Sequence, residues 1–294
     1  MDVVGVVGLG RMGTGIAENL LGRGFEVHVF NRTKGKALAL ATKGAVGHDS
    51  PKDLGAAVDI AITMLTDHAA VEAVTYGEHG LLAGMKKGSL WIDMSTIDPE
   101  ASVRHAEEAR RRGIRRLDAP VMAGPRVVAA GEAVIFVGGD RQTYEESLQV
   151  FRALGKEIAF LGGPGSGHRM KLAMNLYLAL TNLAYAEALA FAEKQGIART
   201  AFAETLNRTL LASGWTRGKG VSAAKGTFEP TFSLALMRKD LLLADAQARR
   251  HGLSLPMTAT AKAAYESAGD LDALDYSAMA LFVQRQNELA AGSR

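Results

Sequence analysis

Short β-rich runs alternate with segments of helical spacing along residues 1–160. The runs are Val3–Val7, Glu26–Phe30, Asp59–Met64, Leu90–Asp93, Arg115–Asp118 and Val134–Val137. Several are largely apolar, the pattern of strands covered on both faces. Between them, Gly13–Arg23, Pro99–Arg112 and Tyr144–Leu154 carry helical spacing. Such alternation predicts a doubly wound parallel sheet.

A turn-rich break follows at Gly162-Gly163-Pro164-Gly165-Ser166-Gly167. Beyond it helical periodicity takes over. A long helix is predicted over His168–Gln195, spanning roughly 40 Å at 1.5 Å per residue. Further helices fit Thr200–Leu211, Phe232–Arg250, Met257–Ser267 and Ser277–Glu288. No internal repeat and no low-complexity tract interrupts them. The expected fold class is α/β: an N-terminal doubly wound (Rossmann) sheet, residues 1–163, joined by a long helix to an all-α domain, residues 164–294.

Composition narrows the chemistry. At 294 residues the chain has room for two domains of roughly 100–200 residues. There is no Cys, which excludes disulfides, a catalytic thiol and thiolate metal sites. The seven His are scattered without ligand spacing, so no metal is expected. Net charge is only +3, and the one basic cluster is Arg110–Arg112 with Arg115 and Arg116. It reads as a solvated helix C-terminus, with Arg complementing the dipole. A nucleic-acid patch would interleave aromatic residues, and none do, so no nucleic-acid partner is expected. The most apolar long stretch, Leu172–Ala186, is too short for a bilayer span and is interrupted by Asn175 and Asn182. Residues 1–7 enter a strand with no basic segment of a secretory leader before it. No membrane association and a cytoplasmic location are expected.

The first strand runs into Gly8-Leu9-Gly10-Arg11-Met12-Gly13, a G-x-G-x-x-G run that opens a helix. Gly8 is expected to make the tight turn, Gly10 to let backbone approach a pyrophosphate, and Gly13 to let the helix pack on the strand. The helix N-terminus then offers free N–H groups and a positive dipole end to the phosphates. The second strand ends at Asn31-Arg32-Thr33. A site for the ribose 2′-hydroxyl of NAD usually has Asp or Glu there, and a carboxylate would repel a 2′-phosphate. Asn31, Arg32 and Thr33 are donors suited to a phosphate, so NADP is the expected cofactor, with NAD the weaker alternative. Met64, Leu65 and Thr96 sit at other strand ends facing the same crevice. Met64 and Leu65 are candidates to cover adenosine or nicotinamide, and Thr96 to bind the nicotinamide ribose.

Hydride transfer to a carbonyl leaves an alkoxide that needs a proton. Lys171 is the candidate donor. It lies one turn into the long helix and shares a narrow face with Asn175 and Asn182 on an otherwise apolar rod. Lys is rarely buried unpaired. A free Lys titrates at about 10.4. Burial, or positive charge from the cofactor or Lys239, lowers that value toward the range useful for acid–base exchange. Asn175 is placed to donate to a substrate or to orient the lysine. The residues by themselves fit equally a snorkelling Lys with two interhelical Asn.

These motifs resemble the β-hydroxyacid dehydrogenases, the family of 3-hydroxyisobutyrate dehydrogenase, tartronate semialdehyde reductase and glyoxylate/succinic semialdehyde reductase. The resemblance covers nearly the whole chain. It rests on Gly8–Gly13, Asp93-Met94-Ser95-Thr96, Asp118-Ala119-Pro120-Val121, Gly165-Ser166-Gly167 with Lys171 and Asn175, and Lys239-Asp240. It implies that Lys171 is the catalytic acid/base and that Asn175 positions the substrate. It places Lys239 near the nicotinamide, and implies a homodimer or homotetramer with C-terminal helices packed across subunits. Phe232 and Trp215 become pocket candidates, although such residues more often belong to a core.

One departure from the family pattern bears on specificity. The family continues Asp-Ala-Pro-Val with Ser-Gly-Gly, whose hydroxyl and backbone bind the substrate carboxylate. Here the run is Met122-Ala123-Gly124-Pro125-Arg126. In one account the Ala123 and Gly124 N–H groups hold the carboxylate, with Arg126 adding charge. In the other the pocket is more apolar and takes a different substrate. Met, a flexible filler, fits both. The expected activity is NADP-preferring hydride transfer involving a small β-hydroxy acid or semialdehyde acid. An imine reductase-like enzyme and a non-catalytic NADP-binding module are the alternatives. Lys171 argues against the first, and the lack of an added reader domain argues against the second.

Overall fold

The computed structural model describes residues 2–287. Nine strands form the sheet: β1 Val3–Val7, β2 Glu26–Phe30, β3 Val46–Gly47, β4 Ile60–Thr63, β5 Leu90–Asp93, β6 Arg115–Asp118, β7 Val121–Met122, β8 Ala133–Gly139 and β9 Gly155–Phe160. Their order is β3-β2-β1-β4-β5-β6-β8-β7, with β9 paired to β8. From β3 to β6 all neighbours are parallel. The expectation of a parallel sheet fails at β8, which runs antiparallel to both β6 and β7. Ten residues, 123–132, link β7 to β8, fewer than the dozen or more that a parallel crossover usually takes.

Strand alternation sorts side chains onto two faces. Val4, Val6, Ile60, Ile62, Leu90 and Ile92 join one core. Val7, Ala61 and Trp91 join the core on the opposite face. Both faces are covered by helices, which is why these strands read as largely apolar runs. The two-residue β3 and β7 fall below what periodicity detects, and β9 is too polar at Lys156 and Glu157 to stand out. The helix expected over Tyr144–Leu154 is two, Arg141–Glu146 and Leu148–Leu154. They are separated at Ser147, whose hydroxyl donates to the Thr143 carbonyl.

The chain divides into two compact units after Lys171. The helix Ser166–Lys194 begins in the first unit and runs on into the second. Beyond β9 no strand occurs among the described residues, only an isolated bridge between Ser233 and Asp275. The main helices there are Arg199–Leu206, Leu234–Arg250, Pro256–Ser267 and Met279–Gln286. Glu288, where the last helix was expected to end, lies outside the described residues. The core of this unit gathers Leu183, Leu189, Met237, Leu241 and Tyr265.

Among the described residues, no helix is long and apolar enough to cross a membrane. The basic cluster is not wholly a solvated helix end. Arg111 and Arg112 pair with Glu108, and Arg115 pairs with Glu146, on the surface. Arg116, by contrast, is buried. Its guanidinium donates to Asp93 Oδ2 at 3.0 Å and to the Ser102 carbonyl and hydroxyl, and it stacks 4.5 Å from the Trp91 ring. It alternates inward on β6, where its charge is neutralised by Asp93 rather than by water.

Candidate active site

The strand order reverses between β1 and β4, the switch point where open α/β sheets bind ligands beyond the strand C-termini. The glycine run sits there. Gly8 has φ +97°, and a Cβ on it would lie 2.5 Å from the Met64 carbonyl oxygen and 2.7 Å from Leu65 Cδ2. The loops after β1 and β4 therefore press together, and only glycine fits. A Cβ on Gly13 would stand 1.9 Å from the Gly8 carbonyl oxygen, which is how closely the helix Arg11–Gly22 approaches the loop. Gly10 has open space: nothing lies within 4 Å of where its Cβ would be. Its carbonyl accepts the first helical bond, from the Thr14 N–H at 2.9 Å. The N–H groups of the first turn point out of the helix end, where no intrahelical acceptor exists.

Asn31 occupies the end of β2 as expected, but its amide braces the loop. Asn31 Oδ1 accepts from the Leu9 N–H at 2.9 Å, and Nδ2 donates to the Thr33 carbonyl at 3.1 Å. Arg32 and Thr33 are exposed beside it. Their neighbour Lys34, also exposed, pairs with Asp49 at 2.7 Å, and that carboxylate pulls its pKa up. Met64, Leu65 and Thr96 are half-buried. A hydrogen-bond chain ties their loops together. The Leu65 N–H donates to Ser95 Oγ at 3.0 Å, and the Ser95 N–H to Asp93 Oδ1 at 3.1 Å. Thr63 also donates to Asp93 Oδ1, at 2.9 Å. Burial pushes the Asp93 carboxyl up, but Arg116, His168 and these donors outweigh it and hold it below the usual carboxylate range.

The start of the long helix is bolted to the sheet by Asp118, the last residue of β6. Its carboxylate accepts from the Gly165 N–H at 2.7 Å and the His168 N–H at 3.1 Å, both buried. A Cβ on Gly167 would meet the Phe136 carbonyl oxygen at 2.4 Å and the Asp118 carbonyl oxygen at 2.8 Å. Small residues at this turn thus let the helix end seat directly on β6 and β8. The buried His168 donates from Nε2 to the Ser95 carbonyl at 2.9 Å. Burial drives its pKa down, against the opposing pull of Asp118, so it is neutral.

One turn on, Lys171 is 9% exposed. Its Nζ lies 3.6 Å from Met122 Sδ. Met122 closes the short β7, paired with Val134 of β8. The side chain that departs from the family pattern thus touches the candidate proton donor. Ala123 packs against the first core, Gly124 precedes the short helix Pro125–Ala129, and Arg126 is exposed on that helix.

In the second unit, Asn175 Nδ2 donates to Asp240 Oδ2 at 2.6 Å, while the buried Asn175 Oδ1 has no protein donor. Lys239 Nζ pairs with Asp240 Oδ1 at 2.9 Å. Asn175, Lys239 and Asp240 therefore form one cluster. Asn182 belongs elsewhere: it donates to the Tyr265 hydroxyl and the Tyr276 carbonyl inside the core. Phe232 packs edge-to-face on Tyr276, and the Trp215 indole N–H donates to the Tyr276 hydroxyl at 2.7 Å. Both aromatics pack against the core of that unit. Sequence reasoning missed Asp118 and His168 as positioning residues, and Asp240 as the partner of Asn175. Asp118 and Asp240 lay inside quoted motifs, but their partners are 47–65 residues away.

Residues 3–163 match the NAD-binding domain of 6-phosphogluconate dehydrogenase, and residues 165–283 the NAD-binding family of NADP-dependent 3-hydroxyisobutyrate dehydrogenase. Fold and site together define an NAD(P)-dependent dehydrogenase acting on CH–OH groups. The chain is 34% identical to glyoxylate/succinic semialdehyde reductase 1 of Arabidopsis thaliana, over 94% of this chain and 96% of the relative. It is 36% identical to 2-hydroxy-3-oxopropionate reductase of Escherichia coli, over 98% and 99%. The solved structure of Mycobacterium tuberculosis 3-hydroxyisobutyrate dehydrogenase with L-serine superposes with a TM-score of 0.86 at 30% identity, covering 97% of this chain and 99% of that one. The chain belongs to the β-hydroxyacid dehydrogenase family.

Proposed function

We propose that this protein is an NADP-preferring reductase that interconverts a small semialdehyde acid and its β-hydroxy acid, with Lys171 as general acid and base. The observation that carries this reading is the buried Lys171 ammonium, held in the opening turns of a helix that Asp118 clamps to the sheet. The names of the similar proteins specify glyoxylate, succinic semialdehyde, 2-hydroxy-3-oxopropionate and 3-hydroxyisobutyrate. All are small carboxylic acids bearing a carbonyl or hydroxyl, and we carry that substrate class to this chain.

When bound, the nicotinamide supplies or accepts the hydride. Lys171 Nζ gives a proton to the carbonyl oxygen as it becomes a hydroxyl, and takes it back in the reverse direction. Gly8–Gly13 cradle the pyrophosphate, Gly10 leaving room and Arg11 and Met12 offering first-turn N–H groups. Arg32 and Thr33 hold the 2′-phosphate while Asn31 braces the loop beneath them. No carboxylate at the end of β2 opposes that phosphate, which supports NADP over NAD. Met64 and Leu65 line the cofactor crevice, and Thr96 and Lys239 serve the nicotinamide end. Asn175 positions the substrate, its free carbonyl oxygen accepting a substrate hydroxyl. Ala123 and Gly124 backbone N–H groups with Arg126 hold the carboxylate, and Met122 replaces the hydroxyl of the family pattern with an apolar wall. Phe232, packed edge-to-face on Tyr276, is a further pocket residue. We place the enzyme in the cytoplasm as a homodimer or homotetramer.

The test is steady-state reduction of glyoxylate, succinic semialdehyde and methylmalonate semialdehyde with NADPH and with NADH. Turnover is expected with preference for NADPH. Lys171→Ala should lower kcat by about 10²–10⁴-fold while retaining NADPH binding. Protein that binds NADPH but turns over none of the three overturns the reading.

A further inference from the structure

His68, Glu72 and His105 form a cluster in the first unit that the dehydrogenase reaction does not use. His68 and Glu72 are one turn apart on the helix His68–Thr75, and His105 comes from the helix Pro99–Arg111. One ligand atom from each lies within 4.8 Å of the other two. His68 Nε2 is 3.2 Å and His105 Nε2 3.8 Å from Glu72 Oε1. We propose that these three side chains bind a borderline divalent transition-metal ion, zinc or its neighbours, clamping the two helices together.

Geometry supports the assignment. Zinc bonds of about 2.0–2.2 Å to imidazole nitrogen and carboxylate oxygen put tetrahedral ligand atoms roughly 3.3 Å apart. The edges of 3.2 and 3.8 Å at Glu72 Oε1 bracket that value, and Glu72 is exposed enough to adjust. His105 supplies a second, independent observation. Its side chain is 3% exposed, yet neither ring nitrogen has a hydrogen-bond partner, and the buried Nδ1 of His68 has none either. Buried imidazole nitrogens are ordinarily satisfied. Here the His105 ring is fixed by stacking on His68 and Trp91 and by an edge contact from Tyr76, so Nε2 is aimed toward Glu72 rather than free to turn.

The electrostatics agree. Burial, and then the charge of Arg116, push the His105 pKa down to about 4, so the imidazole is neutral and its lone pair available. The Arg116 charge is itself neutralised by Asp93 at 3.0 Å. Glu72 brings the one negative charge, and the partly exposed faces of His68 and Glu72 leave room for water as a further ligand. Two imidazoles and one carboxylate favour zinc, cobalt, nickel or copper over magnesium or calcium, which prefer all-oxygen shells.

Isothermal titration of untagged, chelator-treated, full-length protein with Zn²⁺ tests this, with Co²⁺ absorption in the visible as a ligand-field signature. One equivalent of Zn²⁺ should bind, and Mg²⁺ should not compete. His68→Ala and Glu72→Gln, both at partly exposed positions, should each weaken binding at least about tenfold and abolish the Co²⁺ band. His48→Ala should change neither, because His48 Nε2 already meets His28 Nδ1 at 2.8 Å in a separate pair. No binding, binding that survives both substitutions, or binding that follows His48 instead would overturn the assignment.

Discussion

Replacing Gly13 with alanine probes the nucleotide loop most directly. The new methyl carbon would stand 1.9 Å from the Gly8 carbonyl oxygen and 3.6 Å from Met64 Cβ. A close carbon–oxygen contact is about 3.3 Å, so loop and helix must part by more than about 1 Å. What it meets is backbone, held at a φ of +97°, so no rotamer change relieves it. Overpacking of this kind costs about 1–3 kcal/mol. Borne by the folded state alone, that lowers the melting midpoint by about 2–12 °C. If the loop relaxes instead, binding must restore it, and the same energy appears as a dissociation constant raised roughly 5–150-fold. Gly10→Ala is the contrast. With nothing within 4 Å of its Cβ, it should cost stability at most about 1 kcal/mol, the exchange of a glycine N-cap for alanine. It should nevertheless weaken NADPH, because the methyl intrudes where a pyrophosphate would lie. Thermal melts and NADPH fluorescence titrations on both variants decide. Gly13→Ala with unaltered midpoint and affinity refutes the steric reasoning, and Gly10→Ala binding like the parent removes the pyrophosphate from that loop.

Three further outcomes follow from the same structure. Asp118→Ala strands the buried N–H groups of Gly165 and His168, at about 1–3 kcal/mol each, so chemical denaturation should show about 2–6 kcal/mol lost; parental stability would deny the clamp. Arg32→Ala should weaken NADPH more than NADH, read from the ratio of kcat/KM for the two cofactors; equal losses would mean that Arg32 does not meet the 2′-phosphate. With chelator present, the His105 imidazole titrates near 4 when folded and near 6.5 when unfolded. Below pH 6.5 the unfolded chain therefore binds the extra proton, and the melting midpoint should fall as pH drops from about 6.5 toward 4. His105→Gln should flatten that slope, and an unchanged slope would assign the proton to another group.

Much of the first unit was legible because its determinants are local. Val3–Val7, Glu26–Phe30, Leu90–Asp93 and Arg115–Asp118 are strands with the expected bounds, since the strand signal lies in each run and the turns or helices that flank it. Gly8 and Gly13 were readable as glycines that sterics demand, and contacts of 2.5 and 1.9 Å give the reason. The long helix was found within two residues at its start and one at its end. The antiparallel turn at β8 was not legible, because strand direction depends on how a connection returns rather than on the strand's own pattern.

Local sequence, then, determined the alternating strands and helices, the tight glycine turn and the placement of Lys171 one turn into its helix. These depend on steric and periodic preferences within a few residues. Only the tertiary structure decided that Asp118 caps a helix 47 residues later, that Asn175 meets Asp240, that Met122 lies against Lys171, and that His68 and Glu72 face His105. Each of those pairings joins side chains on different elements. A polar or titratable residue carries no mark in its own neighbourhood of which distant partner packing will bring to it.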